Sequence, residues 1–347
     1  MDESVTSQCI EILGCRKEGF PQTYLGLPLS ATKLPVSSFA PYIGKTDRYL
    51  ASWQASLLNT MGSAVMVNSV LDSQLIYVMS SICLPPADIA SMDKRRRAFL
   101  WAGSQDGAGS KCLVAWQLVC TPKELGGLGT KDLGTQNICL LLKLIHRLHN
   151  ADSSAWAQWV RQRACVATLK GDLHGTHWEV LRTLLPLYQA ITSVGLGNGQ
   201  NTLFCNDVWT GEDAFSDRFP ALYSHCQDRE ITVAQAMQSG LEGNFVRRLS
   251  SQAADQLQQI RSIMGDTVLT NESDKRISPF CIAPGRLDAL AIYRMLKSRD
   301  CQPNESSVFV WNSAAPPRVK LFVWLLVQGR IQCRTNLFRK GIVDSDL

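Results

Sequence analysis

The chain has 347 residues, 45% of them hydrophobic and 19% charged, with a formal net charge of +5 at pH 7. This balance gives a folded protein larger than one ordinary domain, excludes a disordered or collagen-like chain, and allows a nucleic-acid partner without demanding one. The opening MDESVTSQ has neither the basic nor the apolar region of an export leader, and no apolar run approaches the ~20 residues of a membrane span. The expectation is an intracellular protein of nucleus or cytoplasm, without a membrane partner, whose twelve cysteines stay reduced.

In chain order, Tyr24, Leu25 and Leu27 mark a short strand punctuated by Gly26 and ended by Pro28. An amphipathic helix is predicted over about 38–58, with Phe39, Tyr42, Ile43, Leu50, Trp53 and Leu57 on one side. A second, over about 64–82, repeats the spacing with Val67, Leu71, Leu75, Val78 and Ile82. Pro85-Pro86 introduces a third over about 86–101, buried along Ile89, Met92, Phe99 and Leu100 and carrying Lys94, Arg95, Arg96 and Arg97. Arg96 lies seven residues after Ile89 and so falls near the apolar side, where it snorkels or reaches a buried acceptor. The four bases admit three readings: a grip on a nucleic-acid backbone, a solvated face, or a nuclear-localisation patch.

Residues 103–111 form a glycine-rich loop without the residue order of a phosphate-binding loop, and Leu113 to Trp116 is a strand candidate. Gly126 to Thr130 is a turn cluster, not a dinucleotide fingerprint. A strongly apolar helix is predicted over 136–149, ending in basic residues that suit a helix C-terminus. Two further helices hold Trp156, Trp159 and Val160, and Leu181, Leu184, Leu185 and Tyr188. Gly197-Asn198-Gly199 reads as a hairpin turn between two short strands within 191–204. Residues 206–220 read as an irregular surface connection, 245–264 as a helix, 266–274 as a polar mobile segment, 278–282 as a strand and 287–297 as a helix.

Pro317 opens the next helix, where its missing N–H has no helical partner, and Gly329 separates it from a second helix over about 330–340. No acidic residue occurs between Glu305 and Asp344, whereas Arg318, Lys320, Arg330, Arg334, Arg339 and Lys340 all lie there. Two readings stand: a basic helical pair that meets phosphates, or a core helix with a solvated partner.

Motifs for catalysis are sparse. His146-x-x-His149 and His174-x-x-His177 lack the further ligands of a zinc site. There is no G-x-S-x-G elbow, no Cys-x-x-Cys, no local signature of a cysteine nucleophile, and no Asp-Asp pair for two-metal transfer. The residues alone describe a helix-rich protein that is not an enzyme.

Several phrases, taken in order, resemble the C-terminal part of plant LINE-type retrotransposon reverse transcriptases, which lack long terminal repeats. They are FPQTYLGLPL at Phe20 to Leu29, Trp53, Val70-Leu71, Leu84-Pro85 and Phe99-Leu100-Trp101. Val114-Ala115-Trp116, Cys120-Thr121-Pro122-Lys123, Gly126-Gly127-Leu128-Gly129 and Asn137 follow, then GNGQNTLFCNDVWTG, with Cys205 where the family usually has tryptophan. The last is PPRVKLFVWLLVQGRIQCRTNLFRKGI, which is similar to the opening of the reverse-transcriptase zinc-binding domain.

The resemblance implies a mainly α chain with a few short β-strands. Its parts would be a palm-exit strand segment (1–32), a thumb-like and connecting helical domain (33–190), a small α+β region (191–300) and the first part of a zinc-binding domain (301–347), itself a helical pair. The family's palm carboxylates lie upstream of the matched region, and its zinc ligands, beginning with a Cys-x-x-Cys, follow Ile342. The expectation is thus a catalytically inactive, truncated piece without zinc or another cofactor, retaining sequence-nonspecific affinity for RNA or DNA through Lys94 to Arg97 and the C-terminal bases. The alternative is a helical interaction module that self-associates through exposed apolar surfaces around Tyr24 to Leu29 and Leu321 to Leu326.

Overall fold

The computed structural model describes residues 3–30, 32–52, 58–102, 112–150, 154–283, 285–299, 305–339 and 341–344. Its contacts divide the chain into two units, Met1–Ser63 with Pro85–Cys112, and Ala64–Leu84 with Leu113–Leu347. Among the described residues the chain is mainly α, and its strands, two or three residues long, form two-stranded antiparallel sheets.

In the first unit, helix α1 (Glu3–Leu13) precedes a hairpin of β1 (Gln22–Tyr24) and β2 (Leu27–Leu29), paired Gln22 to Leu29. The single strand expected here is therefore two, turned at Leu25-Gly26. Tyr42, on α2 (Ala40–Ser52), donates its hydroxyl to the Gly26 carbonyl and ties that turn down. Phe39 and Leu50 are buried as their spacing predicts; Trp53 and Leu57 lie outside the described residues, as does the loop 103–111. The chain then runs through α3 (Thr60–Met66), a π turn at Val67–Leu71 and α4 (Asp72–Met79) before α5 (Pro86–Ala102). The unit boundary at Ser63 falls inside α3. Helix α5 packs against α2, where the Thr46 hydroxyl lies 3.6 Å from the Met92 sulfur.

In the second unit, the strand expected over Leu113 to Trp116 is absent: these residues lead into the short helix α6 (Trp116–Val119). Helix α7 (Leu133–His149) starts where Asp132 accepts the Thr135 N–H at 2.8 Å, three residues before its apolar period suggests. Asn137 on α7 seals the end of α4, donating to the carbonyls of Met79 and Ile82 at 2.7 and 3.0 Å and accepting the Leu84 N–H at 2.7 Å. Leu141, Leu142, Ile145 and Leu148 join α8 (Ala155–Arg161), α9 (Thr176–Ala190) and α14 (Ala289–Ser298) in one apolar core.

A second core is aromatic. Phe204, Trp209, Phe215 and Phe219 stack in sequence with ring centres 5.0–5.7 Å apart. The connection expected at 206–220 is anchored from within: Trp209, Phe215 and Phe219 turn inward, while Gly211 to Asp213, Asp217 and Arg218 stay on the surface. It includes helix α10 (Phe215–Arg218), after which come α11 (Pro220–Ser224) and α12 (Val233–Ser239). Helix α13 (Ser251–Gly265) begins six residues later than predicted, where Ser250 caps it by accepting the Ala253 N–H.

The Gly197 turn does not close a hairpin of its own neighbours. Strand β5 (Ser193–Gly195) pairs instead with β6 (Lys275–Ile277), and the turn wraps the carboxylate of buried Asp274. Asp274 accepts the N–H groups of Gly197, Gly199 and Asn201 at 2.8, 2.9 and 3.0 Å and the Thr202 hydroxyl at 2.8 Å. At Gly197 a Cβ would lie 2.3 Å from the Glu272 carbonyl oxygen, so only glycine fits. The strand expected over 278–282 is β7 (Cys281–Ala283), paired with β8 (Arg286–Leu287).

Three helices end the chain: α15 (Glu305–Asn312), α16 (Pro317–Val327) and α17 (Arg334–Arg339). Helix α17 begins four residues after the predicted Arg330. The intervening turn is held by buried Asn336, which donates to the carbonyls of Gly329 and Ile331 at 2.9 and 2.7 Å.

Candidate nucleic-acid interface

The bases singled out by the sequence fall into two sets on different units. On α5, helical register separates four adjacent residues. Lys94 is exposed. Arg95 spends its guanidinium on Asp47, Nε to Oδ1 at 2.5 Å and a terminal nitrogen to Oδ2 at 3.0 Å, and also donates to Ser91. Arg96 is buried and donates to Asp93 at 2.6 Å, the buried acceptor its position relative to Ile89 suggested. Arg97 is half-buried. The run is therefore not one continuous charged face: Lys94 is its exposed member, while Arg95 and Arg96 are tied into the helix pair and the helix itself.

In the C-terminal set, Arg318, Arg330, Arg334 and Arg339 are exposed. Lys320 is half-buried and donates to the Trp311 carbonyl at 2.9 Å; Arg339 donates to Asn336 at 2.5 Å. Lys340 lies outside the described residues. Helix α16 is anchored by Trp324, whose indole N–H donates to the Gly126 carbonyl at 2.8 Å. Gly127 makes that turn possible, since a Cβ there would sit 1.9 Å from the Thr121 carbonyl oxygen. This explains the Gly-Gly in the turn without any nucleotide-binding role.

A buried polar network that sequence reasoning missed joins the two cores. Arg276 donates to both oxygens of Asp207 at 2.8 and 2.7 Å, and Asp207 also accepts the Leu203 N–H at 2.6 Å. The Arg276 guanidinium lies 5.6 Å from the Tyr188 ring centre. The Tyr188 hydroxyl is 3.0 Å from His146 Nδ1, while His146 Nε2 meets Asn150 at 3.0 Å and the Cys281 sulfur at 3.8 Å. Burial, and then the charge of Arg276, lower the pKa of His146 to about 4 and that of His149 well below the ordinary imidazole range. Burial raises the Cys281 thiol. Burial disfavours both the thiolate and the imidazolium, so Cys281 and His146 are not held as the ion pair of an activated cysteine.

Residues 289–346 match the family of zinc-binding domains in reverse transcriptases. Over 337 residues the chain is 23% identical to an Arabidopsis thaliana protein bearing the name "Putative ribonuclease H protein", which covers 92% of this chain and 53% of that protein. Over 141 residues it is 33% identical to the Transposon TX1 uncharacterized 149 kDa protein of Xenopus laevis, covering 39% of this chain and 10% of that protein. The chain spans about half the length of the first relative and a tenth of the second.

Zinc binding by the matched segment would need cysteine or histidine ligands. The segment contains Cys301 and Cys333 and no histidine. Cys333 is exposed, Cys301 lies outside the described residues, and no three potential ligands converge among the described residues. A structural zinc ion takes four such ligands, so the residues present do not fit one. Among the described residues no helix is long and apolar enough to cross a membrane.

Proposed function

We propose that this chain is the region following the polymerase palm of a plant LINE-type reverse transcriptase, and that it holds RNA or DNA by its phosphates without catalysing synthesis. The observation that carries this reading is the reverse-transcriptase zinc-binding match at 289–346, set at the end of a similarity that covers 92% of the chain. The exposed cations Lys94, Arg318, Arg330 and Arg334 supply the charge, and backbone contacts of this kind position a strand without reading its sequence. Polymerisation needs clustered carboxylates for two metal ions, and the 347 residues contain no Asp-Asp pair. Binding is zinc-independent.

Filter binding with single-stranded and duplex oligonucleotides tests the reading: affinity falls steeply with added salt, does not depend on sequence, and is unchanged by a chelator. Salt-independent binding, or none at low salt, overturns it; primer extension by the pure protein with Mg²⁺ or Mn²⁺ overturns the inactivity.

A second reading is favoured by exposed apolar side chains. Tyr24 and Leu25 on the hairpin turn, and Val319, Phe322 and Leu326 along one stripe of α16, are open to solvent. These would make the chain an interaction module, which salt-insensitive self-association in sedimentation would support.

A further inference from the structure

Within the second unit, the turn between Pro122 and Lys131 faces α14 across an open cavity of about 230 Å³. Lys123, Lys131 and Arg294 line it with Glu124, and the charge of buried Asp72 also reaches Lys131. Two of these cations are set on aromatic rings. Lys131 Nζ stands 4.3 Å from the Tyr293 ring centre and Lys123 Nζ 4.9 Å from that of Trp311, contacts that orient an ammonium. Tyr293 is itself fixed, accepting the Asp132 N–H at 2.9 Å and donating to the Cys120 carbonyl at 3.3 Å.

Two polar atoms in the same lining are independent of the charges. Thr130 is only 1% exposed, and its hydroxyl has no hydrogen-bond partner. The side-chain oxygen of Asn68 is likewise buried without one, and Asn68 sits in the π turn Val67–Leu71, an irregularity frequent at functional sites. Buried polar atoms are nearly always paired, and these two orphans belong to residues that line one cavity. The Thr130 hydroxyl can donate to an oxyanion, whereas the unpaired Asn68 oxygen is an acceptor and serves one only once the amide turns its N–H₂ into that place. Burial and then the neighbouring Arg294 lower the pKa of Lys131, against the opposing charges of Asp72 and Glu124; a bound anion relieves that repulsion.

We propose that this cavity is a phosphate site, in which Lys123, Lys131, Arg294, Thr130 and Asn68 seat one backbone phosphodiester of a bound nucleic-acid strand. The proposal rests on the nucleic-acid reading above and adds a built site to its scattered surface charges.

The test uses the full chain with two probes: a fluorescent single-stranded oligonucleotide followed by anisotropy, and inorganic phosphate followed by thermal shift against chloride at equal ionic strength. Lys131→Gln and Arg294→Gln each weaken the oligonucleotide about ten-fold and reduce the slope of log affinity against log salt by about 1. Thr130→Val, which removes no charge, weakens it several-fold and abolishes the phosphate-induced rise in Tm. Arg248→Gln, an exposed cation elsewhere, serves as the control.

Wild-type binding that these three variants leave unchanged, or that Arg248→Gln reduces as much as Arg294→Gln does, overturns the cavity and leaves the general reading standing. Phosphate stabilisation lost in Thr130→Val, with no oligonucleotide binding by wild type at low salt, overturns the general reading and the backbone assignment together, and makes this a site for free phosphate.

Discussion

Arg276 holds Asp207 through two parallel hydrogen bonds of 2.8 and 2.7 Å, with the arginine side chain 2% exposed and the aspartate not exposed at all. Such a pair contributes little net stability relative to apolar residues of the same volume, yet breaking it strands a buried charge. Asp207→Asn should therefore cost about 3–5 kcal/mol in denaturant unfolding, and Arg276→Met a similar amount. The double variant Asp207→Asn with Arg276→Met should cost less than the two single changes added together. A double variant as damaging as the sum of the two singles would mean that the pair is not the coupling between these residues.

The same network makes stability depend on pH. His146 is neutral in the fold with a pKa of about 4, whereas in the unfolded chain an imidazole titrates near 6.5. The unfolded state thus binds the extra proton first. The contribution of neutral His146 is complete above about pH 6.5, falls as pH drops towards 4, and does not fall further below that. A shift of this size corresponds to about 3 kcal/mol, and His149 acts in the same direction. Unfolding measured at pH 7 and pH 5 should show the loss, and His146→Gln should shrink the difference between the two.

The parts of the fold that could be read from the sequence are those set by local rules. The apolar stripes of α5 and α9, the proline opening of α16 and the inward register of Arg96 all follow from helical spacing and cap chemistry. Long-range pairings could not be read. Asp274 is 75 residues from Gly199, and Arg276 is 69 from Asp207, so nothing local marks either partner. A glycine turn that encloses a distant carboxylate looks, in sequence, like a hairpin. Lys123, Lys131 and Arg294 were equally invisible as a group, because three unremarkable cations become a site only when α14 returns to the turn before α7.

Glycine at 127 is required by its neighbours, not by helix or turn propensity. Gly127→Ala drives a methyl group into the Thr121 backbone carbonyl, which cannot move aside as a side chain would. A loss of about 3 kcal/mol is expected, with weakened docking of Trp324 on Gly126 visible as a change in tryptophan fluorescence. Gly44→Ala is the matching control. It lies within α2 with nothing within 4 Å of the added methyl, and should stabilise by about 0.5–1 kcal/mol. Equal effects at the two sites would remove the steric argument.

Exposure also separates the roles of the bases on α5. If the chain binds nucleic acid through displaced counterions, only a side chain able to reach a phosphate contributes. Lys94 is exposed, whereas Arg96 is 1% exposed and hydrogen-bonded to Asp93. Lys94→Gln should leave Tm within a degree or two and reduce the salt dependence of binding by about one counterion. Arg96→Gln should do the reverse, lowering Tm by several degrees because it leaves Asp93 without this donor, while the salt slope of the remaining folded protein stays unchanged. If Arg96→Gln instead flattens the salt slope at undiminished Tm, then α5 must turn that side chain outward when nucleic acid binds. The division of labour along Lys94 to Arg97 would then be a property of the free protein alone.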